Sequence, residues 1–166
     1  MTELKKISRE AIPRAVQKAE RYRLLNQSWA TESICLDILD VETGNQQVLV
    51  MLLLALTDQF ADETYELTRR AQAVLGRITD PYQRAYYEGI IHERLAHAQL
   101  AHTALQAEAM AYESLRSAMD AFERAEGLRT AGNDDSILRW NTCARTMERL
   151  RMVEQAEGHH EPTFGE

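Results

Sequence analysis

Ala118-Met119-Asp120-Ala121-Phe122-Glu123-Arg124-Ala125 decides the fold, because its steps of four and three put Ala118, Phe122 and Ala125 on one helical face. Two small residues flanking an aromatic describe a helix that approaches its neighbour closely and fills the remaining gap with a ring. Residues 128–132 then read as a loop, and Asn133-Asp134-Asp135-Ser136 supplies capping groups for a fresh helix carrying Trp140, Cys143 and Ala144. The unit is a helix–turn–helix hairpin.

Working outward from that stretch, periodicity and breakers predict seven helices. The first covers 8–25, with Ala15, Ala19, Tyr22 and Leu25 on one face and Pro13 near its first turn. Asn26-Gln27-Ser28 breaks the chain, and Ser28 is expected to cap a second helix over 29–41 that presents Ile34, Cys35, Ile38 and Leu39. Gly44 is expected to take the left-handed conformation common at helix ends. A third helix is expected over 46–59 and a fourth over 62–77, with Asp62 as its N-cap. Thr79-Asp80-Pro81 opens a fifth, with proline where its missing N–H costs nothing. A single helix from Tyr82 to Leu128 would be exceptional in a small domain, so a turn is placed at 102–106. The last helix runs to about 153. Residues 1–156 are read as one domain and 157–166 as a disordered polar tail.

Composition narrows the function classes. Hydrophobic residues make up 45% and charged residues 27%, with only three prolines, a balance that favours a globular helical chain. The formal charge of −7 argues against nucleic acid and against an anionic membrane surface. The longest apolar run, VLVMLLLAL at 48–56, is about half of what a membrane span needs. The N-terminal residues lack an apolar core of signal-peptide length, and Cys35 and Cys143 are not in CxxC spacing. A cytoplasmic protein with reduced, buried thiols is expected.

These spacings resemble the tetratricopeptide-repeat (TPR) family, whose units of roughly 34 residues place small side chains where helices touch. Ala19 and Tyr22 fall on its first-helix positions, followed by Thr31, Cys35 and Ile38 on the second-helix stripe. Leu52, Leu53 and Leu56 match the second unit as bulky residues, and Gly89 takes the small position of the third. Trp140, Cys143, Ala144 and Met147 resemble the opening helix of a fourth unit. The stretch GNDDSILRWNTCAR, residues 132–145, also resembles one found in bacterial TPR-like proteins. From Gly89 to Ala144 the register runs about twenty residues long, which requires longer helices or an enlarged connection around 98–112. The resemblance implies an all-α, right-handed superhelix of about three hairpins plus a C-terminal helix. It implies a non-catalytic module that binds a protein or peptide on its concave side, with self-association into a homodimer through the apolar second unit as the alternative.

In such proteins the first helix of each unit lines the groove. That projection selects Arg23, with Glu20 and Leu24, from the first unit, and Val50 and Leu54, with Thr57, from the second. It selects Tyr86, Ile90, Glu93 and Arg94 from the third, then Asn141 and Arg145, with Glu148, from the last helix. Tyr86, Arg94 and Arg145 are the expected anchors. The carboxylate clamp of cochaperone TPR domains is incomplete here, since the first unit offers Val16 and Glu20 where the family has Lys and Asn. No catalytic residue, cofactor or metal site is expected. His92 and His97 are five apart and point about 140° away from each other, and Glu93 and His97 lack the helical Glu-x-x-His spacing. A small helical enzyme using Glu93, Arg94 and His97 is the remaining alternative.

Overall fold

Every helix predicted from the spacing is present. The structure is a computed structural model that describes residues 2–61, 64–102 and 106–158. Seven α-helices follow one another: α1 (Ile12–Leu24), α2 (Ser28–Val41), α3 (Gln46–Thr57), α4 (Thr64–Leu75), α5 (Pro81–Leu100), α6 (Ala107–Leu128) and α7 (Asp135–Gly158). No strand occurs among the described residues, and the chain is all-α. A 3₁₀ turn over Arg9–Ala11 leads into α1, whose second residue is Pro13.

The starts and stops follow local chemistry. The Asn45 side chain accepts the Val48 N–H at 3.1 Å, and Asp80 accepts the Gln83 N–H at 2.8 Å just before Pro81. At the start of α7, Asn133 accepts the Asp135 N–H. Two expectations change. Ser28 is the first helical residue rather than a cap, and its hydroxyl donates to Asp58 across the hairpin. The positive φ angles fall on Asn26, which ends α1, and on Gly132 rather than on Gly44. The proposed Asp62 cap, the centre of the 102–106 turn and the tail from 159 onward lie outside the described residues.

Each helix packs on the next, and α1 also touches α3 as α3 touches α5. The extra twenty residues of the third hairpin lengthen its helices: α5 has 20 residues and α6 has 22, against 12 to 14 in the first four. Their interface is the most extensive in the molecule.

Two apolar clusters form the interior, and α5 divides them. The first gathers Ala19, Cys35, Ile38, Leu49, Leu53, Phe60, Ala71 and Ile78 and reaches Ile91 and Ala98 on α5. The second gathers Ala111, Leu115, Ala118, Phe122 and Cys143 with Ile90 and Ala96 of α5. Consecutive residues on a helix point about 100° apart, so Ile90 and Ile91 serve different cores. The run at 48–56 is absorbed in the same way: Val48, Leu49, Leu52, Leu53 and Leu56 are buried within the chain. Val50 and Leu54 of the same run are only partly buried.

Gly89 sets the spacing of α5 and α6. A Cβ on it would lie 2.5–2.8 Å from three ring carbons of Phe122, which is itself fully buried. Alanine normally stabilises a helix by about 1 kcal/mol over glycine, so the sign of Gly89→Ala separates a close approach from an open face. Gly89→Ala is expected to destabilise by about 1–3 kcal/mol. Gly127→Ala on the same hairpin, where no atom lies within 4 Å of the added Cβ, should stabilise by roughly 0.5–1 kcal/mol. Thermal melts of the two variants check both signs.

Candidate functional site

The faces of α1 and α3 that meet beside the core enclose a cavity of about 290 Å³, lined by Glu20, Arg23, Leu24, Gln47, Val50, Met51 and Leu54. On α1, positions 20, 23 and 24 lie on one side by three- and four-residue steps; on α3, 47, 50, 51 and 54 do the same. Val50, Met51 and Leu54 make an apolar floor. Glu20, Arg23 and Gln47 make a polar rim, where Gln47 Nε2–H donates to Glu20 at 3.2 Å. This is a concave site with an apolar centre and few polar groups, the usual character of a binding cleft.

A polar seam continues from this cavity toward α5. Asp58 follows the last residue of α3, where its negative charge meets the negative end of the helix dipole. Arginine offsets that conflict. Arg94 of α5 pairs with Asp58 and also donates to the Leu54 carbonyl at 3.2 Å and the Thr57 hydroxyl at 2.7 Å. These bonds add to those the Leu54 carbonyl already accepts from the Asp58 N–H and the Thr57 hydroxyl, and hold Arg94 against the end of α3. Arg23 Nε lies 3.4 Å from Asp58, and the Ser28 hydroxyl donates to the same carboxylate at 3.3 Å. One carboxylate joins α1, α2, the end of α3 and α5. Burial draws the Arg94 guanidinium below its ordinary basicity, with Asp58 acting in the opposite direction.

Beyond Arg94 the seam reaches α7. Glu93 is 3% exposed, and both its oxygens lie 3.4 Å from Arg139, which also sits beside Tyr86. Tyr86 stacks on Tyr82 and meets Tyr87 edge-on, and its ring centroid lies 5.8 Å from that of Phe122. Burial raises the Tyr82 and Tyr87 hydroxyls above their usual pKa. It also pushes both thiols, Cys35 and Cys143, up to about 12, which keeps them protonated at neutral pH.

The residues named from the sequence divide three ways. Arg23, Val50 and Leu54 come together in the cavity. Glu93, Arg94 and Tyr86 join the seam beside it, engaged with Arg139, Asp58 and Phe122 respectively, so Tyr86 is a packing residue as much as a surface one. Ile90, at 1% exposure, belongs to the second core and not to the groove surface. Asn141 is half-buried and Arg145 exposed on α7, and neither lines the cavity. His97 is exposed while Glu93 is buried, and His92 is held below its ordinary pKa by burial, countered by Glu88. No cluster of metal-ligating side chains occurs among the described residues, and no described helix is long and apolar enough to cross a membrane.

Sequence reasoning missed Gln47 and Met51, although each lies three or four residues from Val50 or Leu54 on the same face. It also missed Asp58, which gave no signal because its partners are 30 to 36 residues away. A second cavity of about 530 Å³, lined among others by Tyr65, Thr68, Leu95, Gln99 and Met110, opens where α5 and α6 outrun α4. The added length of the third hairpin was its only sequence signal. Comparisons with protein-family models, curated proteins and solved structures find no match.

Arg94→Ala is expected to cost about 1–3 kcal/mol, because it removes the donor to Leu54 and Thr57 and one of the two cations beside Asp58. A double-mutant cycle with Asp58→Asn, followed by chemical denaturation, should return a coupling of at least about 0.5 kcal/mol.

Proposed function

We propose that this protein is a non-catalytic interaction module of TPR-like architecture that holds a peptide or protein segment along the inner faces of α1, α3 and α5. The observation that carries this reading is the cavity between α1 and α3. It is flanked by an ordered polar seam and formed by the same helix faces that the family resemblance assigns to ligand contact. Contacts between every second helix, α1 with α3 and α3 with α5, support a stack of hairpins with a shared inner side. The cavity would take one or two apolar side chains of an extended or helical segment, and Arg23, Gln47 and Glu20 would fix its direction.

The titratable groups favour binding over chemistry. Arg94, Arg139, Asp58 and Glu93 are engaged with one another in cross-helix pairs that brace the inner face, rather than converging on a vacant point where a substrate could react. Cytoplasmic residence belongs to the same proposal.

Val50→Lys tests it. Val50 is partly buried at the cavity floor, and a lysine there can extend its stem through the opening to reach Glu20, filling the space while keeping its charge in water. Affinity capture from native lysate on the wild-type chain and on Val50→Lys, with quantitative identification of retained proteins, should show a partner lost by the variant. Helicity and melting temperature should stay close to wild type. Equal retention by a folded Val50→Lys would remove the α1–α3 cavity from the binding surface.

A further inference from the structure

The face of α1 that carries Arg14, Lys18 and Arg21 is distinct from the one that carries Glu20 and Arg23 of the inner cavity. Arg14, Lys18 and Arg21 are spaced i, i+4, i+7, so their side chains stand in one row about 10 Å long. All three are exposed, and none takes part in an ion pair among the described residues. By contrast, the nearby Lys6 and Arg9 are paired with Asp40 and Glu42 of the first hairpin. Gln17, Tyr22 and Leu25 complete the face, and the six side chains border a hollow of about 500 Å³ that contains no carboxylate. Lys18 lies 5.9 Å over the Tyr22 ring.

Two features set this face apart from an ordinary solvated one. The first is charge segregation: the first 25 residues hold seven Lys and Arg against three Glu, a net of +4 that leaves −11 for the rest of the chain. With Lys6, Arg9 and Arg23 paired elsewhere, Arg14, Lys18 and Arg21 stand unpaired on this face among the described residues. The second is exposed apolar area. Leu25 is 57% exposed within the basic row beside the half-buried Tyr22, and Trp29 is 69% exposed just after the turn that follows α1. Large apolar side chains grouped on an exposed face mark interaction surfaces more often than solvated ones.

We propose that this face binds an acidic amphipathic helix of a partner protein. Carboxylates spaced i, i+4, i+7 on that helix would pair with Arg14, Lys18 and Arg21, and an adjacent leucine or phenylalanine would cover Tyr22 and Leu25. The charge pattern selects a short acidic helix over a nucleic acid or an anionic bilayer. An extended polyanion would also meet the −11 of the remaining chain, whereas a short helix stays within about a Debye length, roughly 8 Å, of the basic row.

The test is selection of a displayed random-peptide library on three purified chains: the wild type, Arg14→Glu/Lys18→Glu/Arg21→Glu, and Val50→Lys. All three basic positions are exposed, so the triple variant is expected to fold, which circular dichroism with thermal melting checks before selection. The proposal expects peptides rich in Asp and Glu beside Leu or Phe, retained by Val50→Lys. Their affinity should fall at least about tenfold on the triple variant and fall with added salt. Selected peptides without acidic bias, or bound equally by the triple variant, overturn it and leave the inner cavity's role untouched. Acidic peptides lost on Val50→Lys but kept by the triple variant also overturn it and assign them to the cavity. Failure to enrich any peptide overturns it too. So does self-association of the wild type, measured by light scattering, that the triple variant abolishes, since the occupant is then a second copy of this chain.

Discussion

The Phe122 ring occupies the space that a side chain at position 89 would fill, and the arrangement of the third hairpin depends on that substitution of one group for another. Because Gly89 has no Cβ, α5 and α6 come close enough for Ala111, Leu115, Ala118 and Ala125 to be buried along most of their shared length. The ring also braces Tyr86 from the other side. With α6 held so near, α5 is enclosed by two cores at once and presents Ile91 to one and Ile90 to the other. That orientation turns Glu93 toward α7 and Arg94 toward α3. A larger residue at 89 would push the hairpin apart and disturb both ion pairs.

Asp58 plays a comparable part between the first two hairpins. A carboxylate just past a helix C-terminus is unfavourable alone, and the chain resolves this with Arg94 and Arg23 from helices distant in sequence. Burial costs such groups solvation, and a cross-helix pair contributes little net stability once that cost is counted. Its effect here is geometric: α1, α3 and α5 are tied at one level, which holds the cavity of Arg23, Val50 and Leu54 open between two fixed walls. A face ordered in this way would lower the conformational cost of the binding proposed for it.

What could be read from the sequence was local. The proline at 81 and the loop before α7 are written in consecutive residues, and each is where the spacing put it; the caps at Asn45 and Asp80 lie in breaks that the sequence marked without assigning the cap. The small position Ala118 was legible because helical periodicity and residue size suffice to place it, and the family resemblance added Ala19 and Gly89. Even the surplus length of the third hairpin was visible as a shift of register, although only the structure shows that it lengthened α5 and α6. The misreadings concern relations across the chain. Ser28 has the chemistry of a cap, but Asp58 lies close enough to take its hydroxyl. Ile90 sits on the face that a standard unit would expose, and α5 is covered on that side by the second core because α6 is long and near. Arg94 looked like a free anchor because its partners are far away in sequence. Of the nine groove residues, Arg23, Val50 and Leu54 line the cavity, Tyr86, Glu93 and Arg94 are engaged in contacts that brace it, Ile90 lies in the second core, and Asn141 and Arg145 sit on α7 away from it.

The most direct measurement is the proton NMR spectrum of Gly89 in the folded chain. A ring seated against its α-carbon predicts cross-relaxation between the Gly89 α-protons and the Phe122 ring protons, together with a ring-current displacement of the Gly89 α-proton shifts that disappears in Phe122→Leu. Gly89 α-protons with ordinary helical shifts, no cross-peaks to Phe122 and no response to Phe122→Leu would contradict the account at its base.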